Sequence, residues 1–181
     1  MRRREFVIGI ASLAGLSALH GLHAAPAASR SAGAPWKEFA PANIDLIEPL
    51  PALDIDKAVW RQRLPQSAYE VLFEEQTERP HSSALDTEKR AGLFLCAACE
   101  LPLFSSAMKY ESGTGWPSFF DSISGHLATK LDFKLIWPRT EYHCVKCGGH
   151  QGHVFEDGPQ PTGQRWCNNG VALKFLPRDT G

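Results

Sequence analysis

Five cysteines and a closely spaced histidine pair are the residues of this chain best suited to do chemistry. Cys96-Ala97-Ala98-Cys99 and Cys144-Val145-Lys146-Cys147 each put two thiols on one tight turn. Two such turns can present four sulfurs tetrahedrally, which suits Zn²⁺ at about 2.3 Å per Zn–S bond. Gly148 after the second pair lets the backbone approach the sulfurs closely, whereas Glu100 after the first lacks that freedom. The pairs are too far apart in sequence for a compact zinc ribbon, so a metal held by Cys96, Cys99, Cys144 and Cys147 would join two distant parts of one domain. Two other readings compete. One pair could be a thioredoxin-like redox motif, but that expects a βαβ context the sequence does not show. Both pairs could be disulfides, although neighbouring cysteines in a tight turn are strained. One structural zinc ion is the expected reading. Four protein sulfurs leave no open coordination position, so the chemistry must lie elsewhere.

Cys167 is the remaining sulfur, in Arg165-Trp166-Cys167-Asn168-Asn169. Taken alone, it reads as a buried structural cysteine. On a strand, however, Arg165 and Asn169 would share its face, and a cation and a hydrogen-bond donor both favour a thiolate. Gly149-His150-Gln151-Gly152-His153 follows the second metal turn directly and could be anchored by it. These histidines are either one surface and one core residue or a pair at a binding site. Trp116, in Gly113-Thr114-Gly115-Trp116-Pro117, is either a core plug or an exposed aromatic wall.

The elements that must position these groups fall into two textures. Residues 54–75 look helical, with Asp54 as a cap and Pro65 starting a second helix. From Gly92 onward, short apolar runs alternate with turn signals such as Gly148-Gly149 and Asp157-Gly158-Pro159. Strands are expected at 93–95, 127–137, 141–145, 153–156 and 165–175, with Leu131, Phe133, Leu135 and Trp137 on one face of the second. This predicts a mainly β, antiparallel domain over 54–178, with helices confined to its N-terminal third.

Nineteen Lys and Arg against twenty Asp and Glu give a net charge of −1, which argues against a nucleic-acid binder. Residues 1–27 read as an export leader. Arg2, Arg3 and Arg4 precede a stretch from Phe6 to Ser29 without a charged side chain, then small residues at 24–28. Arg3-Arg4-Glu5-Phe6-Val7 is similar to a bacterial twin-arginine signal, which exports proteins already folded. An uncleaved membrane anchor is the alternative. Loss of 1–27 removes three Arg and one Glu and takes the net charge to −3. Residues 28–53 read as a linker or irregular arm, rich in Ala, Pro and Ser.

In order along the chain, Cys-Ala-Ala-Cys, Gly-Trp-Pro-Ser-Phe, Cys-Val-Lys-Cys-Gly-Gly-His-Gln-Gly-His-Val-Phe-Glu-Asp-Gly-Pro and Pro-Thr-Gly-Gln-Arg-Trp-Cys-Asn-Asn resemble methionine sulfoxide reductase B, over about residues 54–176. The resemblance implies two antiparallel β sheets with N-terminal helices, and reduction of the R epimer of methionine sulfoxide, free or in oxidised proteins. It implies Cys167 as nucleophile, His150, His153 and Asn169 as active-site groups, and Trp116 against the substrate methyl, with Arg165 in support. Many family members carry a recycling cysteine immediately before Gly-Trp-Pro; here that position is Thr114. A thioredoxin-like or other external thiol is therefore the expected reductant. A monomer located in the bacterial periplasm is the expectation that completes this reading.

Overall fold

The computed structural model describes residues 36–39, 50–134 and 136–178. The expected leader and most of the 28–53 arm lie outside the described residues. Within the arm, a 3-10 turn spans Trp36–Phe39, and Trp36 sets its ring edge-on against His126 at 5.7 Å.

Two short helices come first. α1 spans Lys57–Arg63 and α2 spans Gln66–Glu74. The cap of α1 is Asp56 rather than the expected Asp54: its carboxylate accepts from the Ala58 N–H at 2.7 Å. Pro65 stands immediately before α2 rather than inside it, and it forces Leu64 into extended backbone, which separates the helices. Helices this short are unstable alone, so burial must hold them. Ala68, Tyr69, Val71, Leu72 and Phe73 of α2 are all buried, and Trp60 stacks on Phe73 at 5.6 Å.

The rest is antiparallel sheet. β1 (Gly92–Cys96), β2 (Pro102–Ser105) and β9 (Leu173–Pro177) make a three-stranded sheet in the order β2-β1-β9. β3 (Lys109–Tyr110), β4 (Ser118–Phe119), β5 (Leu127–Asp132), β6 (Arg139–Cys144), β7 (His150–Phe155) and β8 (Arg165–Asn168) make a six-stranded sheet in the order β3-β4-β8-β7-β6-β5. An aromatic seam joins the sheets. Phe104 of β2 stacks on Phe119 of β4 at 4.0 Å, and Phe94 of β1 meets Phe119 edge-on at 4.9 Å. Burying each such ring contributes about 1.5–3 kcal/mol.

Two expected strands are corrected. Residues 165–175 are not one strand. β8 ends at Asn168, a 3-10 turn spans Gly170–Ala172, and β9 belongs to the other sheet. The Glu78 carboxylate receives the Gly170 and Val171 N–H groups at 2.6 and 2.9 Å and so holds this crossover. Residues 127–137 are not one strand either. Asp132 Oδ1 accepts from the Lys134 N–H at 2.9 Å, an Asx turn that ends β5. Phe133 and Trp137 are consequently exposed rather than part of an apolar strand face, and Leu135 lies outside the described residues.

Candidate active site

The two Cys-x-x-Cys turns are built alike. The Glu100 N–H donates to the Cys96 carbonyl and the Gly148 N–H to the Cys144 carbonyl, each at 2.9 Å. Each closing residue takes a left-handed φ, +59° at Glu100 and +71° at Gly148. The first turn therefore accepts at Glu100 a conformation that costs a non-glycine residue roughly 1 kcal/mol or more. All four Sγ atoms lie within 4.8 Å of one another. Across the turns, Cys96 meets Cys147 at 3.6 Å and Cys99 meets Cys144 at 3.5 Å. A tetrahedral metal–sulfur site with bonds of about 2.3 Å has S···S edges of about 3.8 Å, so this set fits a thiophilic ion such as zinc. Cys96 ends β1 and Cys144 ends β6, so the group bridges the two sheets.

Cys167 lies on β8 between two partners, opposite Ser118 of β4 and His153 of β7. Residues directly opposed across antiparallel strands project to the same face with Cβ atoms about 4.5–5.5 Å apart. The close approach of β7 and β8 requires Gly152, because a Cβ there would lie 1.9 Å from the Cys167 carbonyl oxygen. His150 and His153 are three residues apart and would fall on opposite faces of a regular strand. A β-bulge corrects this: Tyr142 pairs with Gly152 while His143 pairs with His150, leaving Gln151 as the extra residue. The two rings then meet with centroids 5.4 Å apart.

Behind each imidazole sits a carboxylate that the sequence reading missed. His153 Nε2 hydrogen-bonds Asp132 Oδ2 at 2.8 Å, and the same oxygen receives Arg139 Nη2 at 2.7 Å. His150 Nδ1 lies 2.9 Å from Glu141 Oε1. Asp132 was hidden because β5 and β7 are not sequence neighbours and β6 lies between them. The one available signal was Asp132 opposite Arg139 across a possible hairpin.

Trp116, His153, Cys167, Asn168 and Asn169 line one cleft of about 120 Å³, with Thr77, Arg139, Gly152 and Phe155 completing it. His150 and Arg165 are not among its lining residues. Arg165 instead makes a two-point ion pair with Asp157, at 2.8 and 2.9 Å, over the Phe155 ring. Trp116 is a half-buried wall. Its Nε1 donates to the Glu78 carbonyl at 3.2 Å, and the Glu78 N–H donates to Asn169 Oδ1 at 3.0 Å. Asn169 Nδ2 donates in turn to the Gln151 carbonyl at 3.0 Å. Glu78 therefore ties two cleft walls together. Gln151 also reaches the sulfur cluster, because its Nε2 donates to Cys96 Sγ at 3.3 Å.

The protonation states correct one expectation. Burial pushes the Cys167 thiol up, against the Arg165 charge and a hydrogen bond from the Thr114 hydroxyl, which pull it down. The resting sulfur is therefore a thiol at neutral pH and not the expected thiolate, because burial outweighs the charge and hydrogen bonding of Arg165, which is shared with Asp157. Burial also lowers the pKa of His153 and of His150, so both are neutral imidazoles. Asp132 is held well below the usual carboxylate range, first by the Lys134 N–H and then by His153 and Arg139. An ionised Asp132 only accepts hydrogen bonds, so the proton of neutral His153 sits on Nε2.

A pH profile follows. Alkylation of Cys167 by iodoacetamide, read by site-specific mass spectrometry, should climb through pH 9 without levelling. Arg165→Met should move the curve further to the alkaline side, slowing alkylation about tenfold at fixed pH, since it removes a charge that favours thiolate. A plateau below pH 8 in the unaltered protein would overturn this assignment.

The SelR domain matches residues 64–177 of this chain. The peptide methionine sulfoxide reductase MsrB of Methanosarcina barkeri is 47% identical over 131 residues, 72% of this chain and 92% of that protein. MsrB of Methanosarcina mazei is 50% identical over 124 residues, covering 67% and 89%. The mitochondrial methionine-R-sulfoxide reductase B2 of Rattus norvegicus is 46% identical over 133 residues, covering 69% and 76%.

Proposed function

This chain belongs to the methionine sulfoxide reductase B family, and we propose that it reduces its substrate by moving the sulfoxide oxygen onto Cys167. It is an oxidoreductase, a peptide-methionine (R)-S-oxide reductase. The observation that carries the proposed mechanism is the alignment of Cys167, His153 and Asp132 across three elements beside one cleft.

The substrate sulfoxide enters beside Trp116, whose ring takes the methyl group by apolar and sulfur–aromatic contact. The Cys167 proton passes to His153, and the ionised Asp132 stabilises the resulting imidazolium. The Cys167 thiolate attacks the sulfoxide sulfur, and negative charge grows on the oxygen. His153, with His150 behind it, returns the proton to that oxygen. The oxygen then transfers to Cys167, methionine leaves, and Cys167 remains as sulfenic acid, its sulfur oxidised by two electrons as the substrate is reduced by two. One external thiol condenses with the sulfenic acid and releases water. A second thiol resolves the mixed disulfide and restores Cys167. Cys96, Cys99, Cys144 and Cys147 would hold a zinc ion, which would supply cohesion only, because four sulfurs would close its coordination. The uncharged stretch from Phe6 to Ser29 behind Arg2–Arg4 supports an exported, envelope-located enzyme, and Thr114 in place of a recycling cysteine supports an external, thioredoxin-like donor.

The test is turnover of the separated R and S epimers of N-acetyl-methionine sulfoxide with dithiothreitol. Reduction of R alone is expected; equal rates on both epimers, or no reduction, refute the reading. The Thr114 hydroxyl hydrogen-bonds Cys167, so Thr114→Cys places a thiol within reach of the sulfenic acid. After one turnover without reductant, the unaltered protein should gain one oxygen on Cys167, whereas the variant should form a 114–167 disulfide. A 114–167 pair that stays reduced would show the geometry to be wrong.

A further inference from the structure

Leu131, Phe133, Ile136 and Trp137, at 63, 70, 94 and 81% exposure, are the exposed large hydrophobic residues among the described ones, and all lie within seven residues. Solvated polar tips are the rule for hairpin connections, so a cluster of this kind marks a surface used for contact. Leu131 is at the root of the connection, and Phe133, Ile136 and Trp137 form its tip. Both ends of the tip run directly into residues of the site. Phe133 follows Asp132, which hydrogen-bonds His153, and Trp137-Pro138 precede Arg139, which lines the cleft and binds the same Asp132 oxygen. The tip is thus joined to the cleft through the strand ends that carry Asp132 and Arg139.

The surrounding charge selects among apolar partners. Lys130 and Lys134 are both bound to the Glu75 carboxylate, at 2.7 and 2.5 Å, Lys130 also pairs with Glu141 at 3.3 Å, and Arg139 is bound to Asp132, so three carboxylates face three cations. The cations beside the tip are thus neutralised within the protein, which removes the attraction an anionic lipid surface would need. We infer that the β5–β6 connection is a substrate-docking lip: Phe133, Ile136 and Trp137 bind apolar residues flanking methionine sulfoxide in an unfolded polypeptide. This deepens the reductase reading and rests on it. Chains that expose methionine to oxidation by unfolding also expose the apolar neighbours it was buried with, so the lip would favour damaged, unfolded protein over the free amino acid.

The experiment uses the full chain with dithiothreitol and three probes. These are N-acetyl-methionine-R-sulfoxide, a capped pentapeptide with the sulfoxide between Leu-Phe and Val-Leu, and one with it between Ser-Gly and Gly-Ser. The apolar peptide should show a kcat/KM about tenfold above the polar one, mostly through KM. Tenfold corresponds to about 1.4 kcal/mol, or roughly 55 Å² of apolar surface covered, which is well within reach of two aromatic rings. The triple variant Phe133→Ser, Ile136→Ser, Trp137→Ser should bring that ratio to about one and leave the N-acetyl substrate unchanged. The conservative Phe133→Leu, Trp137→Phe variant should keep the preference. The lip is refuted by an unaltered protein without preference, by a triple variant that keeps it, or by equal losses on all three probes. It is equally refuted if the triple substitution abolishes sedimentation with phosphatidylcholine vesicles while peptide preference is absent. No turnover of the N-acetyl substrate by the unaltered protein would instead overturn the reductase reading itself.

Discussion

Cys167→Ser will lower methionine-R-sulfoxide turnover by at least about 10⁴-fold, with the folded protein otherwise intact. Each tenfold loss is about 1.4 kcal/mol in the barrier, so this asks one atom to supply more than about 5 kcal/mol. A nucleophile can carry that much because its removal deletes the covalent step and not merely a contact. A serine hydroxyl is a far weaker nucleophile toward the sulfoxide sulfur, and its oxygen cannot take up the transferred oxygen as a sulfur does in forming sulfenic acid. The substitution sits on a half-buried side chain between Ser118 and His153, so the melting temperature should move by only a few degrees. His153→Ala should cost about 10²–10⁴-fold, the usual worth of an acid–base group. Combined with Cys167→Ser it should add almost nothing, because the two act as one unit. Steady-state rates and thermal unfolding on the same samples decide the matter. Normal turnover by Cys167→Ser would remove the proposed nucleophile, and a collapse of folding would show that residue to be structural.

The second large effect concerns the sulfur cluster. Stripping the metal, or replacing Cys144 with Ser, should unfold the domain under conditions where the intact protein is stable. Cys96 and Cys144 are fully buried and terminate strands of different sheets, so the site ties the two sheets together at one end. The aromatic seam of Phe94, Phe104 and Phe119 ties them in the core. Structural metal binding contributes on the order of 10 kcal/mol or more, as large as the whole stability of a typical domain, about 5–15 kcal/mol. Purified protein should hold one zinc per chain, and a chelator should release it together with four titratable thiols and a lost unfolding transition. Gln151 connects Cys96 to the Asn169 side chain, so activity should fall before global unfolding is complete. Metal-free protein with an unchanged melting temperature would refute the structural role.

The four-cysteine cluster was legible in the chain because its signals are local. A Cys-x-x-Cys pair needs one tight turn, and turn geometry is set by three or four neighbouring residues. The mainly β architecture was legible for the same reason, since alternating apolar runs and turn residues act over short spans. Helix and strand ends were less so. Asp56 rather than Asp54 caps α1, and the Asx turn at Asp132 ends β5 where an apolar alternation seemed to continue.

What only the tertiary structure decided was the company each residue keeps. Asp132 and Glu141 come to the histidines from β5 and β6, Glu78 reaches Asn169 and Gly170 across about ninety residues, and a single bulge at Gln151 turns His150 to the side of His153. The charge state of Cys167 also came from the fold. Arg165 two positions away promises a thiolate in the sequence, but its guanidinium is shared with Asp157, and burial outweighs its charge and hydrogen bonding to the sulfur. Residue types and spacing are properties of a short stretch of chain, whereas partners and protonation depend on desolvation and on groups brought together from far along the chain.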